Sequence, residues 1–323
     1  MHSDSQPKSR IRFIAPLLLV AFAGLLLRFS YAWEHPLTGD EAVSLQSAAG
    51  FLGVAAEEKA QVPTPISEFN LLLSHNEEKG YGDVLHSFFN PRNGHPPLYY
   101  LTLRGWMQHF GNSTFSVRVL SLIFTFIAWG FAFRSCARWF GEGTARWLLV
   151  LFAAAPFCLF YAPMVRPYPM AMMWSMINTY MVIRLLQTDS RKDQRLWGIG
   201  LIIGSAAGIY TIYHYSLTLA FHLVWILASA PGSRQRWVFT IGLGLLVTTL
   251  YLPWMLIVYR HINEFNSVPG LDFKGRPMEL VEIIKQPFYH NLLWPLDRPF
   301  LTHSYPVREA RATAARRPLP WAS

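Results

Sequence analysis

What most constrains this chain is a series of apolar windows long enough to leave water altogether. Residues 11–33, IRFIAPLLLVAFAGLLLRFSYAW, contain only Arg12 and Arg28 as charges. Comparable windows run over 116–136, 145–163, 167–187, 196–212, 214–230 and 237–259. A helix rises about 1.5 Å per residue, so roughly 20 apolar residues cross a hydrocarbon layer about 30 Å thick. The composition agrees, with 52% hydrophobic and 15% charged residues, whereas a soluble domain carries roughly 25% charged. The expected fold class is an all-α polytopic membrane protein with seven spans.

Lys8 and Arg10 precede the first window, Arg12 lies at its start, and no convincing small-residue cleavage site follows it. Residues 11–33 therefore read as an uncleaved anchor after a cytoplasmic segment 1–10. The segment 96–110, PPLYYLTLRGWMQHF, is the ambiguous one, because it is short and carries Arg104 in its middle. Charge decides. If 96–110 lies along the surface, the loops with Arg134, Arg138 and Arg146, with Arg191, Lys192 and Arg195, and with Arg234 and Arg236 all fall inside, as the positive-inside tendency prefers. Residues 34–115 then form an outer loop with interfacial helices, 116–259 hold six further spans, and 260–302 form an outer segment. The tail 303–323, rich in Arg, Ala and Pro, reads as disordered or as the end of a truncated frame.

The net charge of +9 is spread between spans, not gathered on one face, so nucleic-acid binding is not expected. The two cysteines, Cys136 and Cys158, fall near opposite ends of neighbouring spans and are not expected to pair. Segment 34–95 holds nine of the 19 acidic residues. Its apolar residues recur at helical spacing, as in Val43, Ser47 and Phe51 or Ile66, Phe69, Leu72 and Leu73, which predicts short amphipathic helices on the membrane.

Four short stretches carry polar chemistry on the outer side of this topology. In TGDE, Thr38 and Glu41 make a capping box, which accounts for Glu41 structurally. Asp40 is left over in the first turn, ionised by the helix dipole, able to act as base or metal ligand. In NGHPPLYY, His95 precedes a Pro-Pro helix start, and Tyr99 and Tyr100 fit an interfacial aromatic belt. In YAPMVRPYPM, Arg166 either snorkels or binds a lipid phosphate. In IYTIYHYSL, His214 is an ionisable group at a span boundary. Arg28 and Arg118, near span ends, read as ordinary snorkelling residues.

The order of these motifs, from GDEAVSLQSAAGFL through HPPLYYLTLRGWMQHFGNSTFSVRVLSLIF and VRPYPMAMMWSM to YTIYHYSLTLAFHLVWIL, resembles membrane glycosyltransferases related to protein O-mannosyltransferases, with aminoarabinose transferases more distant. The resemblance covers roughly residues 10 to 260. It implies a C-type glycosyltransferase-like helix bundle that moves a sugar from a polyprenyl phosphate to an acceptor hydroxyl, inverting the anomeric carbon. It further implies Asp40 as base with Glu41 as its partner acid. Donor-phosphate or substrate contacts would come from Arg166, Tyr168, His95, His214 and Tyr99.

A divalent cation at Asp40 and Glu41 is compatible with the resemblance, and no other cofactor is implied. The implied partners are the polyprenyl-linked donor, a protein, lipid or glycan acceptor, and membrane lipids. The implied location is the plasma or inner membrane with the site on the outer face. Family members usually continue through further spans, whereas no apolar window follows 259 here. A lipid-linked sugar transporter or flippase, and a truncated non-catalytic remnant, are the rival expectations.

Overall fold

A computed structural model describes residues 7–51, 70–74, 78–89, 95–229 and 233–266, side chains of 7–18, 20–21, 258 and 261–266 excepted. The expected helix through Ile66 and Phe69, nearly all of the segment 260–302 and the tail 303–323 lie outside these residues. Among the described residues the chain is helical. α1 (Pro7–Glu34) is followed by three helices of a cap: α2 (Gly39–Ala48), α3 (Tyr81–Ser87) and α4 (Leu98–Phe110). The bundle continues with α5 (Thr114–Phe140), α6 (Glu142–Ala154), α7 (Pro156–Tyr161), α8 (Tyr168–Gln187), α9 (Arg191–Thr211), α10 (Tyr215–Ala228) and α11 (Arg234–Asn266).

Six of the seven expected apolar windows each fall on a single helix. Thr114–Phe140 and Arg234–Ile257 are apolar enough to cross a membrane unaided, with mean hydropathy 1.8 and 1.7. The others show their solvent in the side chains they leave uncovered. On α9, Leu196, Ile199 and Ile203 recur at helical spacing on an exposed stripe; on α10, Leu217, Phe221 and Val224 do the same. Apolar stripes of this kind are at home against lipid, not water.

The window 145–163 is not one continuous helix but two, α6 and α7. Pro156 opens α7 and lacks the N–H that would bond the Phe152 carbonyl, while Ala155 turns extended at φ −64°, ψ 124°. Arg28, expected to snorkel, fills that break instead. It is fully buried and donates to the carbonyls of Phe152 at 2.8 Å, Ala153 at 3.1 Å and Gly24 at 2.7 Å. A Cβ at Gly24 would lie 2.5 Å from the Ala153 oxygen, so only glycine lets α1 approach α6 this closely. Gly141, at φ +89°, turns the chain between α5 and α6 in a single residue.

The cap rests on the ends of the bundle. One core cluster joins Leu45 of α2, Val84 of α3 and Leu103 and Met107 of α4. It continues through Val117, Leu120 and Phe124 of α5, Met170 and Met173 of α8, and Trp254 of α11. α4 buries one face, Tyr99, Tyr100, Leu103, Arg104 and Met107, and exposes Gln108, His109 and Phe110. Tyr99 and Tyr100 are therefore core residues and not the aromatic belt the sequence suggested. Arg104, the charge that made this segment ambiguous, is drawn under the cap, where its guanidinium bonds the carbonyls of Lys79 and, at 3.3 Å, Ala48. Buried carbonyls thus replace the water a charge would otherwise need.

Candidate active site

The site is built where the first turn of α2 meets the loop between α7 and α8. Thr38 caps α2 in the expected capping box: its hydroxyl accepts from the Glu41 N–H at 3.3 Å, and Glu41 Oε2 accepts from the Thr38 N–H at 2.9 Å. Glu41 does more than cap. Fully buried, it accepts from Arg118 Nε at 3.0 Å and the Val165 N–H at 3.1 Å on Oε1, and from Arg118 Nη2 at 2.7 Å on Oε2. Arg118, equally buried, also donates to the carbonyls of His35 at 2.7 Å, Pro36 at 2.9 Å and Tyr31 at 3.3 Å.

Two sequence readings change here. Arg118 does not snorkel; it is the hub tying the end of α1, the start of α2 and the Val165 loop together. Glu41, expected beside Asp40 as second acid or metal ligand, has both oxygens occupied by four N–H donors. Such a carboxylate holds geometry and has no lone pair facing an acceptor substrate. Among the described residues no group of three or more His, Cys, Asp or Glu side chains is arranged around a common metal position.

One residue earlier on the helix, Asp40 has the opposite surroundings. Its side chain is exposed, with no hydrogen bond or ion pair among the described residues. Arg166 lies beside it, 8% exposed, one residue after the Val165 N–H that Glu41 grips. Arg166 Nη1 reaches the main-chain oxygen of Asp40 at 3.4 Å, and its guanidinium lies 5.8 Å from the Tyr168 ring. Burial opposes its charge, but Tyr100, Asp40 and Tyr168 outweigh that and raise its pKa, so the cation persists. The loop is pinned from below: Ser121 donates to the Met164 carbonyl at 2.8 Å and Thr125 to the Ala162 carbonyl at 3.2 Å.

His95 and His214 complete the rim. His95 is half-buried, its ring 6.1 Å from Tyr100 and within the electrostatic reach of Arg166, Asp40 and His214. Burial first, then the Arg166 charge, push its pKa down to about 4, so it is a neutral donor or acceptor at physiological pH. His214 is exposed immediately before α10. Next to it Tyr213 accepts from Trp254 Nε1 at 3.3 Å, which ties the rim to α11.

Asp40, His95, Arg166, Tyr168 and His214 are therefore gathered on one face of the bundle. Tyr99 is not: it is sealed in the core behind Tyr100. The tyrosines that do surround the cluster are Tyr100, Tyr161 and Tyr213. Tyr161 stands 5.7 Å from the Tyr168 ring, edge to face. Nothing in their spacing distinguished them from ordinary interfacial aromatics. Below the rim, α8 and α10 flank an open groove of about 480 Å³. Met172, Met176, Leu217 and Phe221 give it apolar walls, and Ser175, Thr179, Thr218 and His222 add polar groups to its lining.

Residues 94–257, half the chain, match the family described as Dolichyl-phosphate-mannose-protein mannosyltransferase. His95, Arg166, Tyr168 and His214 fall inside the matched region, whereas Asp40 and Glu41 precede it. No curated protein and no solved structure matches the chain. With the matched region spanning the bundle from α4 to α11, the chain belongs to the dolichyl-phosphate-mannose-protein mannosyltransferase family and is a polytopic membrane glycosyltransferase using a lipid-phosphate sugar donor.

Proposed function

We propose that the enzyme transfers the sugar by a single inverting displacement at the Asp40 cluster, on the outer face of the membrane, with Asp40 as general base. The observation that carries this reading is the pairing of an exposed, unbonded carboxylate with a buried guanidinium on the adjacent loop. The acceptor hydroxyl gives its proton to the Asp40 carboxylate as its oxygen bonds the anomeric carbon. The bond from that carbon to the phosphate oxygen breaks, and its electron pair stays on the departing polyprenyl phosphate. Phosphate is already a good leaving group, so no protonated acid is needed to expel it, unlike glycoside hydrolysis with its two carboxylates.

Arg166 stabilises the charge that develops on the leaving phosphate, where a preorganised donor contributes roughly 10²- to 10³-fold. His95, neutral, and Tyr168 add hydrogen-bond donors without adding charge. Glu41 acts as a positioning residue: through Arg118 and the Val165 N–H it fixes the spacing between the base and the phosphate cation. The apolar groove between α8 and α10 accommodates the first isoprene units of the donor, since it opens below the rim that would hold the phosphate.

The test is transfer from polyprenyl-phosphate sugars by protein reconstituted in vesicles. Asp40→Asn should lose roughly 10²- to 10⁴-fold in rate while retaining donor binding. A variant as active as wild type would end the base assignment.

A further inference from the structure

The face opposite the Asp40 cluster carries a second cleft, of about 330 Å³, where three helices end and one begins. Arg138 and Trp139 come from the end of α5, Leu186 and Gln187 from the end of α8, Ser229 follows α10, and Arg236 lies in the first turn of α11. Two guanidiniums from helices far apart in sequence thus share one cleft. Neither has a carboxylate partner among the described residues: Arg138 Nε donates only to the neutral Gln187 Oε1, at 2.5 Å. Nearby Arg146 shows the contrasting case, paired with Glu142 at 3.0 Å.

Carbonyls at the helix ends attract the arginines but cannot neutralise them, so the cleft keeps a charge of nearly +2. Gln187 Oε1 is occupied by Arg138, which leaves its amide N–H groups as further donors into the same space. The depth of the cleft is set by exposed aromatics at the ends of the spans. Trp139 and Phe140 end α5 and Trp237 opens α11, each at least 45% exposed, the pattern of a membrane–water boundary. A cleft at that level, basic on two sides and donor-rich, meets lipid headgroups and not acyl chains.

We propose that this cleft is a phosphate-binding site occupied by the headgroup of an anionic phospholipid of the leaflet opposite the active site. The phosphodiester bridges Arg138 and Arg236 and takes the Gln187 amide as third donor, and the acyl chains run down beside α8 and α10. No covalent step is involved. Such a lipid ties α5, α8, α10 and α11 together at the end where the transfer chemistry does not occur.

The experiment is native mass spectrometry of the full-length protein released from vesicles of phosphatidylcholine with one-fifth phosphatidylglycerol. Wild type should retain phosphatidylglycerol over phosphatidylcholine, each arginine contributing roughly fivefold. Arg138→Gln with Arg236→Gln should reduce the preference to near unity, whereas Arg191→Gln, on the same face outside the cleft, should leave it unchanged. A parallel titration with inorganic phosphate in pure phosphatidylcholine vesicles separates the sources. Phosphate adducts there, with no phospholipid preference, would overturn the lipid assignment. An unaltered lipid preference in a monodisperse double variant would overturn the site itself.

Discussion

Two acid–arginine pairs lie a residue apart on the same helix turn, and they have been put to opposite uses. Glu41 and Arg118 are fully buried, 2.7 Å apart, every oxygen of the acid engaged. Asp40 and Arg166 are neighbours that do not close: Arg166 touches only the main-chain oxygen of Asp40, at 3.4 Å. The first pair has no capacity left for a ligand; the second has a carboxylate with no bond of its own on one side and, on the other, a cation held only by neutral groups, the Asp40 main-chain oxygen and Tyr168. Desolvated pairs are expensive to form and costly to break, so the closed pair is suited to holding position. The open pair keeps its solvation or its substrate, and that is where charge can move.

Breaking the closed pair should have the largest effect. Arg118→Ala leaves the Glu41 carboxylate buried without its cation, a loss of about 3–5 kcal/mol. Thermal unfolding in detergent should show a substantially lower Tm, and transfer should disappear with the fold. The pair can be probed more gently with Glu41→Gln, which retains an acceptor oxygen and the shape. It should fold with a reduced Tm and a lowered kcat, because the Asp40-to-Arg166 spacing loosens.

The open pair predicts the reverse partition. Asp40→Asn should cost roughly 10²- to 10⁴-fold in kcat, with Tm unchanged or only slightly lowered, since an exposed carboxylate beside a helix N-terminus stabilises by only about 0.3–1 kcal/mol. Glu41→Gln and Asp40→Asn measured side by side in thermal and kinetic assays therefore break the comparison directly. A Tm loss in Asp40→Asn as large as in Glu41→Gln would mean that both acids are structural.

Much of this contrast was legible in the letters, and the part that was not has a physical cause. Apolar windows long enough to span announce themselves one by one, so the bundle could be read from sequence. The capping box TGDE correctly separated a capping Glu41 from a surplus Asp40. What local pattern cannot show is a partner 77 residues away. Arg118 sits in an apolar window as Arg28 does, and both read as snorkelling charges, because their carbonyl and carboxylate partners come from other helices. The Pro156 break was visible, but its repair by Arg28 was not, since the repair is a tertiary contact. The tyrosines around the cluster were hidden for the same reason: an aromatic belt and an aromatic-walled site have the same composition.

Removing the cation of the open pair comes next in size. Arg166→Gln should raise KM for the lipid-phosphate donor and lower kcat, together roughly 10²- to 10³-fold in kcat/KM, with Tm nearly unchanged. Arg166→Lys should recover only part of the loss, because a single ammonium lacks the planar fork that grips two phosphate oxygens.

The smallest effect is a pH dependence at His95, and its sign is fixed by burial. In the folded protein its pKa lies at about 4, against 6.5 for the free side chain, first because it is desolvated and then because Arg166 is near. Between these values the unfolded chain binds a proton that the folded chain refuses. Stability is therefore complete above pH 6.5 and declines as pH falls through the window toward 4, by about 3 kcal/mol in all. Substituting Gln, which cannot protonate, should remove this part of the acid sensitivity and leave the part due to carboxylates. The measurement is the difference in Tm between wild type and His95→Gln at pH 7.5, 5.5 and 4.5. The gap should shift steadily in favour of the variant as the pH drops. Saturating polyprenyl phosphate should shrink that shift, because an anion held by Arg166 offsets the field that keeps His95 neutral. Parallel curves with and without the lipid would place His95 outside the open pair's field, and the site would then consist of Asp40, Arg166, Tyr168 and His214 alone.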